Sequence, residues 1–232
     1  MKDSKKTIRE AFLDTVPVMA GYIVLGIGFG VIMEAKGYGL IWSAAMGIFI
    51  YAGSMQYVAV DLLSAGASVL TAALTTLMVN ARHLFYGISM VEKYKNMGKI
   101  KPYLIFALTD ETYSLVVGKE FGDDLDPKTY YTFVSLFDHL YWVTGCVLGS
   151  VIGSMIGFST EGIDFALTAL FITVMTEQWL SAKNHFPAIV GVLSTLLCLV
   201  IFGSESFLIP SMILITLVLT IGKKYTAEAD HE

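Results

Sequence analysis

Ionisable and amide side chains lie within long apolar stretches of this 232-residue sequence. Each such group is costly at the depth of a lipid bilayer, so it is expected to face the interior of a helix bundle or a water-filled hollow. A purely structural membrane subunit would not need so many of them. The residues concerned are Gln56, Asn80, Arg82, His83, Asp110, Glu111, Asp138, His139, Glu177 and Gln178.

The densest of these polar clusters is the run from Asn80 to His83. Arginine stays charged in proteins, so a buried Arg82 needs a carboxylate or carbonyl partner. One hypothesis is that Arg82 pairs with a substrate carboxylate, or with Asp110 or Glu111. The alternative is that Arg82 lies near the membrane surface and extends its guanidinium group into water.

Two adjacent carboxylates, Asp110 and Glu111, interrupt a short apolar stretch. Buried carboxylates of this kind are suited to proton uptake and release. Neighbouring residues point about 100° apart on a helix, so one of the two is expected to face a given cavity. The alternative is that the apolar span ends near Leu108 and that both carboxylates lie in a loop.

Two further polar pairs are candidates for the same chemistry. Asp138 and His139 start the fifth apolar helix, and Glu177 and Gln178 lie late in the sixth. Histidine titrates near physiological pH and can therefore carry protons. The fifth stretch is longer than one membrane crossing needs, so the alternative is that Asp138 lies near a membrane interface.

The stretch 51–56 has the composition of an unwound helix, because Gly53, Ser54 and Gln56 weaken a lipid-facing helix. Broken backbone leaves N–H groups free to bind a carboxylate, helped by the helix dipole, and leaves carbonyls free for an ammonium group. A zwitterionic amino acid needs both. A kinked but continuous helix is the alternative.

These residues together predict a transport site for a small solute. Substrate binding is assigned to Gly53, Ser54, Gln56, Asn80 and Arg82. Proton coupling is assigned to Asp110, Glu111 and His83. A channel-like or uptake permease for another small solute and a non-transporting scaffold subunit are the alternatives, and an intramembrane enzyme is a more distant one.

Eight apolar segments must position these groups. A hydrocarbon core of about 30 Å takes about 20 residues of helix, and backbone polar groups in lipid must be satisfied within their own segment. The sequence therefore predicts an all-α, polytopic transmembrane helix bundle of about seven spans, with broken helices, in a single domain covering 1–232. The segments are 15–34, 40–60, 67–91, 103–118, 130–157, 164–182, 187–203 and 206–222.

The basic residues give a conflicting picture of the topology. Lys2, Lys5, Lys6 and Arg9 put the N-terminus in the cytoplasm by the positive-inside rule, and the lysines of 93–101 put the mid-chain connection there too. Three full crossings before that connection would place it on the opposite side. A broken or re-entrant helix within 51–56 resolves the conflict; the alternative is that the rule is violated.

Glycine spacing and a short similarity suggest how the helices are arranged. Gly145, Gly149, Gly153 and Gly157 recur every fourth residue, as do Gly26 and Gly30, which predicts closely packed helix faces. The spacing of Phe, Ser and Gln in 49–56 recurs in 171–178 as Phe, Thr and Gln, 122 residues later. The hypothesis is an internal repeat with halves 11–95 and 128–222; the alternative is chance similarity.

Composition excludes several classes of function. The chain is 55% hydrophobic and 15% charged, against about 25% charged residues in soluble domains. Protease, hydrolase, nucleotide-binding and zinc motifs are absent from the sequence, so we expect no enzyme activity, no cofactor, no metal and no nucleic-acid partner. Without a nucleotide fold, an ion gradient or a partner protein must supply the energy for transport.

Three stretches in order, 51–56, 80–87 and 109–111, resemble the AzlC family, the large subunit of branched-chain amino acid exporters linked to azaleucine resistance. The resemblance covers almost the whole chain and includes the basic N-terminus before a glycine-rich first helix. One departure is Met55, which stands where a smaller residue is expected and would narrow the pocket.

The resemblance implies a bacterial protein of the cytoplasmic (inner) membrane. It implies export of valine, leucine, isoleucine and related amino acids such as methionine, with energy from the proton gradient. It also implies a separately encoded partner, a small hydrophobic subunit of the AzlD type.

Overall fold

A computed structural model describes residues 4–122, 124–155, 172, 175–176, 179–180, 182, 184–203 and 207–222, with the side chain of Arg82 among those left undescribed. Over these residues the chain forms ten α-helices, a short 3₁₀ helix and no strand. The all-α membrane helix bundle predicted from the sequence is confirmed. The chain divides into two compact units, Met1–Ile163 and Asp164–Glu232, and the candidate residues other than Glu177 and Gln178 lie in the first.

The first unit contains eight of the helices and the second contains two, which pack against each other. By length and composition, α1 and α8 are the two described helices able to cross a membrane unbroken. The helices of the first unit are α1 (Ser4–Ala35), α2 (Gly39–Phe49), α3 (Gly53–Ser64), α4 (Val69–Val79), α5 (Arg82–Met90), α6 (Lys101–Phe106), α7 (Asp110–Val117) and α8 (Pro127–Met155). Those of the second are α9 (Phe186–Phe202) and α10 (Leu208–Ile221).

The central pair of the first unit, α1 and α8, runs parallel. Near their starts, the backbone N–H of Asp126 donates to Thr7 Oγ1 at 3.2 Å. Near their ends, Ser150 Oγ donates to Glu34 Oε2 at 2.8 Å. The two long helices therefore share one direction, and each end of the unit can be identified by the residues of α1 that lie there.

The predicted glycine faces bring the backbones of α1 and α8 together. A Cβ atom on Gly145 would lie 2.9 Å from the Cα of Gly26, closer than real Cβ contacts. A Cβ atom on Gly149 would overlap the backbone of Ile27. Small residues permit this approach in membrane helices, so the prediction of tight packing is confirmed.

A first hairpin, formed by α2 and α3, enters from the end where α1 finishes. Gly39 at the start of α2 lies beside Glu34, and Ser43 Oγ donates to the Cys146 carbonyl at 3.0 Å, so α2 runs against α8. In α3, the Tyr57 hydroxyl donates to the Leu25 carbonyl, and the helix runs parallel to α1. The hairpin therefore turns back halfway along the α1–α8 pair.

The turn of this first hairpin is the segment 50–52. Tyr51 at its centre has φ of +45°, a left-handed conformation that residues other than glycine seldom adopt. The break predicted within 51–56 is confirmed, and it begins slightly earlier than its glycine suggested.

A second hairpin, formed by α6 and α7, enters from the opposite end. Leu104 of α6 lies in the core cluster near the starts of α1 and α8, and Phe106 reaches the His139 ring at 5.8 Å between centroids. After a break at 107–109, α7 returns, and Val116 lies in the same core cluster as Leu104. The predicted single segment 103–118 is therefore two short antiparallel helices.

Between the hairpins, α4 and α5 make one interrupted passage. The break is at 80–81, and Met90 at the end of α5 joins the core cluster that contains Ala11 and Tyr130. The connection 91–100 consequently lies at the same end as the start of α1. This arrangement removes the topological conflict, because the segment 40–60 turns back and does not cross. The total of seven spans stays a prediction.

Candidate functional site

The turns of the two hairpins meet halfway along α1 and α8. The ring of Tyr51 from the first turn lies 6.1 Å from Phe106, 4.3 Å from His139 and 6.5 Å from Tyr22 between centroids. Tyr51 itself is 3% exposed. The strained residue of the first turn is therefore enclosed by α1, α6 and α8.

Six helix ends converge near this junction. The chain interruptions at 50–52, 80–81 and 107–109 each expose the C-terminus of one helix and the N-terminus of the next. Helix N-termini carry partial positive charge and free N–H groups, whereas C-termini carry partial negative charge and free carbonyls. Interrupted helices of this kind form the solute and ion sites of many membrane transporters.

A cavity of about 450 Å³ opens beside all three interruptions. It begins at the hairpin turns and extends between α5 and α6 towards the end at which α1 starts. Most of its lining is apolar. The residues are Ile50, Tyr51, Ala52, Asn80, His83, Leu84, Gly87, Met90, Val91, Tyr94, Lys101, Ile105, Phe106 and Leu108.

A few polar groups lie among these apolar walls. The Oδ1 atom of Asn80 and the hydroxyls of Tyr51 and Tyr94 are buried and have no hydrogen-bond partner among the described residues. The Nδ1 atom of His83 lies 3.2 Å from the Asn80 carbonyl oxygen. An apolar pocket with a small number of placed polar groups is typical of small-molecule sites.

The predicted binding residues of 53–56 lie just behind this cavity. Gln56 is fully buried, and its Oε1 accepts a hydrogen bond from Trp142 Nε1 at 2.9 Å. Gly53 faces the same indole, which a Cβ atom would approach to 3.2 Å. Ser54 follows on the first turn of α3. The residues of this break that line the cavity are thus Ile50 to Ala52. The side chain of Gln56 does not line it and is hydrogen-bonded to Trp142.

Three of the predicted site residues have side chains outside the described part of the chain. Arg82 opens α5, directly after the second interruption, and its side chain lies outside the described part of the chain. Glu177 and Gln178 also lie outside the described residues, as does most of the region that would test the internal repeat. Their assigned roles stay predictions.

Asp110 and Glu111 form the first turn of α7 and are partly buried. The alternative that they lie in a loop is therefore wrong. Thr109 caps the helix, its Oγ1 accepting from the Thr112 N–H at 3.2 Å. Glu111 Oε2 accepts a hydrogen bond from the Tyr22 hydroxyl at 2.7 Å, so this carboxylate faces α1.

Asp138 is fully buried in the middle of α8. The placement at a helix start is wrong, because α8 begins at Pro127, where the side chain of Asp126 accepts from the Thr129 N–H at 2.9 Å. Asp138 Oδ2 accepts a hydrogen bond from Thr112 Oγ1 at 2.7 Å. The alternative that Asp138 lies near a membrane interface stays open, because burial within the bundle does not fix its depth in the bilayer.

His139 is partly buried beside Asp138. Its Nδ1 atom lies 3.3 Å from the Tyr103 hydroxyl, and its ring packs on Tyr51. The structure thus brings Glu111, Asp138 and His139 to one junction.

Sequence reasoning missed the hydroxyl groups that connect these residues. Tyr22 donates to Glu111 and also lies 2.6 Å from Thr109 Oγ1, and Thr112 joins Thr109 to Asp138. A threonine followed by two acidic residues is a recognisable helix start, so the cap at Thr109 could have been found. A tyrosine inside an apolar run carries no such signal.

Broken helices around a partly polar cavity, within an all-α membrane bundle, are typical of membrane transport proteins. The pattern of the family described as AzlC protein matches residues 17–156. The chain belongs to the AzlC family.

Similar proteins cover nearly the full chain. A protein of Bacillus subtilis named branched-chain amino acid transport protein AzlC is 43% identical, covering 96% of this chain and 87% of its own. An uncharacterized membrane protein of Haemophilus influenzae is 42% identical over 92% of this chain and 88% of its own. The Escherichia coli inner membrane protein YgaZ is 28% identical over 91% and 87%. No solved structure matches.

Proposed function

We propose that this protein is a secondary transporter that exports branched-chain or similar apolar amino acids across the bacterial cytoplasmic membrane. Valine, leucine and isoleucine are the proposed substrates, with methionine as a related one. Transport is coupled to the proton gradient, and a small AzlD-type membrane subunit is the partner.

The observation that supports this function best is the cavity at the three helix interruptions. An amino acid presents a carboxylate and an ammonium group side by side. The helix N-terminus at Arg82 suits the carboxylate, and the adjoining C-terminal carbonyls suit the ammonium. Arg82 and Asn80 are proposed to bind the charged end with them.

The apolar walls of the cavity suit the substrate side chain. The apolar lining residues include Leu84, Met90, Ile105 and Phe106. Each methylene of the substrate that is buried against them contributes about 0.8 kcal/mol to binding. A cavity of about 450 Å³ falls within the range of about 300–1,000 Å³ for small-molecule sites. Discrimination among aliphatic side chains is therefore expected from fit.

Three observations support the proposed direction of transport and the proposed membrane location. The cavity extends to the end of the unit at which α1 starts, and the positive-inside rule assigns that end to the cytoplasm. A solute could then load from the cell interior. A relative named as a branched-chain amino acid transport protein and another named as an inner membrane protein agree with this substrate and location.

Gly87 allows a direct test of the substrate cavity. It lines the cavity, and a Cβ atom there would meet nothing within 4 Å. Gly87→Leu should extend a side chain from this open position into the pocket and reduce transport of leucine and isoleucine more than that of alanine. Gly21→Leu is the matched control, because Gly21 also has open space around it and lies on α1 away from the cavity.

Direction is tested in cells that lack this protein and are fed dipeptides of valine, leucine, isoleucine or methionine. Export predicts intracellular accumulation that is relieved by the wild-type chain and poorly relieved by Gly87→Leu. Depletion in place of accumulation would indicate uptake. Liposomes containing this chain with and without an AzlD-type subunit test the partner, and they also separate transport from a scaffold role.

A further inference from the structure

A continuous chain of hydrogen bonds connects two carboxyl groups through three hydroxyls. Glu111 Oε2 and the Tyr22 hydroxyl are 2.7 Å apart, and Tyr22 and Thr109 Oγ1 are 2.6 Å apart. Thr109 Oγ1 and Thr112 Oγ1 are 3.1 Å apart, and Thr112 Oγ1 and Asp138 Oδ2 are 2.7 Å apart. Three of these distances are usual for O–H···O hydrogen bonds and the fourth, from Thr109 to Thr112, is a longer one, so α1, α7 and α8 are connected by one chain.

Counting protons shows that this chain holds one more proton than its hydroxyls supply. Four hydrogen bonds need four protons, one in each bond. A hydroxyl supplies a single proton, and an ionised carboxylate only accepts. Tyr22, Thr109 and Thr112 therefore supply three, and the fourth must reside on Glu111 or Asp138.

We propose that Glu111 and Asp138 share one proton and exchange it along this chain; the inference rests on the proposed proton-coupled transport. When Glu111 carries the proton, each group donates towards Asp138, which is ionised. When Asp138 carries it, each group donates in the opposite direction. The two arrangements satisfy the same four hydrogen bonds.

The transfer between these arrangements is balanced. The O–H bond of Glu111 breaks as its proton passes to the Tyr22 oxygen, and the Tyr22 proton passes to Thr109. The Thr109 proton passes to Thr112, and the Thr112 proton forms the new O–H bond on Asp138. One negative charge moves from Asp138 to Glu111, and no other reactant takes part.

The surroundings favour a single shared proton. Glu111 and Asp138 interact electrostatically, so two negative charges would repel each other in this enclosed region. The other titratable groups facing the pair are Asp110 on α7, Tyr51 in the first turn, Tyr103 on α6, and Tyr130 and His139 on α8. Glu111 is partly exposed and Asp138 fully buried, which assigns proton entry to Glu111 and storage to Asp138.

Amide substitutions test the shared proton without breaking the chain. In Glu111→Gln the amide NH₂ donates to Tyr22, and in Asp138→Asn it donates to Thr112, so four hydrogen bonds remain and both variants should fold. Each fixes the chain in one direction. Both should therefore lose valine transport driven by a pH gradient in liposomes, down to the level of protein-free vesicles, while exchange of labelled for unlabelled valine continues.

Interrupting the hydrogen-bond chain between Glu111 and Asp138 provides a second test. Thr112→Val keeps the shape of the side chain and removes the link to Asp138, so it should also abolish transport driven by the pH gradient. Glu120→Gln and Thr132→Val are matched controls, since Glu120 is exposed and Thr132 donates within its own helix at 2.8 Å. Both controls should behave as wild type.

Infrared spectroscopy of the purified protein counts the proton directly. In difference spectra against the wild type at neutral pH, Glu111→Gln and Asp138→Asn should each lose one and the same protonated carboxyl band, because each leaves the remaining carboxyl of the pair ionised. A band that persists in either variant would overturn the shared proton, as would retained gradient-driven transport in both. Absence of valine exchange in the wild type would instead count against the proposed function, and the infrared result would still decide the shared proton.

Discussion

The contact between α1 and α8 makes a quantitative prediction for Gly149→Ala. Two backbone atoms of Ile27, its Cα and carbonyl carbon, lie 2.7 Å from the position of the new Cβ, where ordinary contact needs 3.4 Å. The carbonyl oxygen of Ile27 overlaps the same position. These are backbone atoms that cannot rotate aside, and the oxygen is the closest of the three, so the two helices must separate locally by about 1.3 Å to restore a contact of 3.4 Å.

The energetic consequence follows from two opposing effects. Overpacking of this kind costs about 1–3 kcal/mol, and obstruction by backbone favours the upper half of that range. Alanine is better than glycine within a helix by about 0.5–1 kcal/mol. The expected net loss for Gly149→Ala is therefore about 1–2 kcal/mol. Gly145→Ala should lose less, because its closest atoms lie 2.9 Å away.

A thiol-reactive fluorescent dye measures this loss in detergent solution. Cys146 and Cys198 are both free and buried, so the dye reacts as the protein unfolds. The expected order of melting temperature is Gly149→Ala lowest, then Gly145→Ala. Gly21→Ala, which has nothing within 4 Å, should melt at or slightly above the wild-type temperature. Equal melting of Gly149→Ala and Gly21→Ala would show that the close helix contact is wrong.

Two further substitutions have defined outcomes. Trp142→Phe removes the donor to buried Gln56 and should cost about 1–3 kcal/mol, measured by the same dye assay. Partial burial lowers the pKa of Lys119, but its hydrogen bonds and ion pairs with Asp14 and Glu10 outweigh this and raise the pKa above its ordinary value of 10.5. A raised lysine pKa stabilises the fold below 10.5 and loses that effect as the pH rises through the raised value. Lys119→Gln should therefore lower the melting temperature equally at about pH 6 and about pH 8, and a loss that disappeared between these would contradict the ion pair.

The helical segments and one of the three interruptions could be predicted from the sequence. Gly53, Ser54 and Gln56 mark a weak helix, so a break near them was expected. The break at 80–81 was not expected. The polar cluster there indicates a place for water or ligand, but it does not indicate which backbone hydrogen bonds are absent. The break at 107–109 was not predicted either, although Thr109 followed by Asp110 and Glu111 is a recognisable helix start inside the segment 103–118.

The position of Asp138 shows a different limit. Hydropathy starts the fifth segment at residue 130, whereas Asp126 and Pro127 form a recognisable helix start that places Asp138 three turns inside the helix. Those two residues could have indicated the helix start. The link from Asp138 through Thr112 to α1 could not be predicted, because it depends on the second hairpin turning back beside α8, which local sequence does not encode.

The proposed substrate cavity and the proposed proton-transfer chain include adjacent residues of the second hairpin turn. Leu108 lines the cavity, and Thr109 belongs to the hydrogen-bond chain. Consecutive Cα atoms are about 3.8 Å apart, so a solute that displaces Leu108 also moves Thr109. The hydrogen bond between Thr109 and Tyr22 is 2.6 Å long, so a movement of Thr109 away from Tyr22 would lengthen and weaken the chain at that point. In the proposed mechanism, substrate occupancy and proton position would therefore both act on the backbone of Leu108 and Thr109.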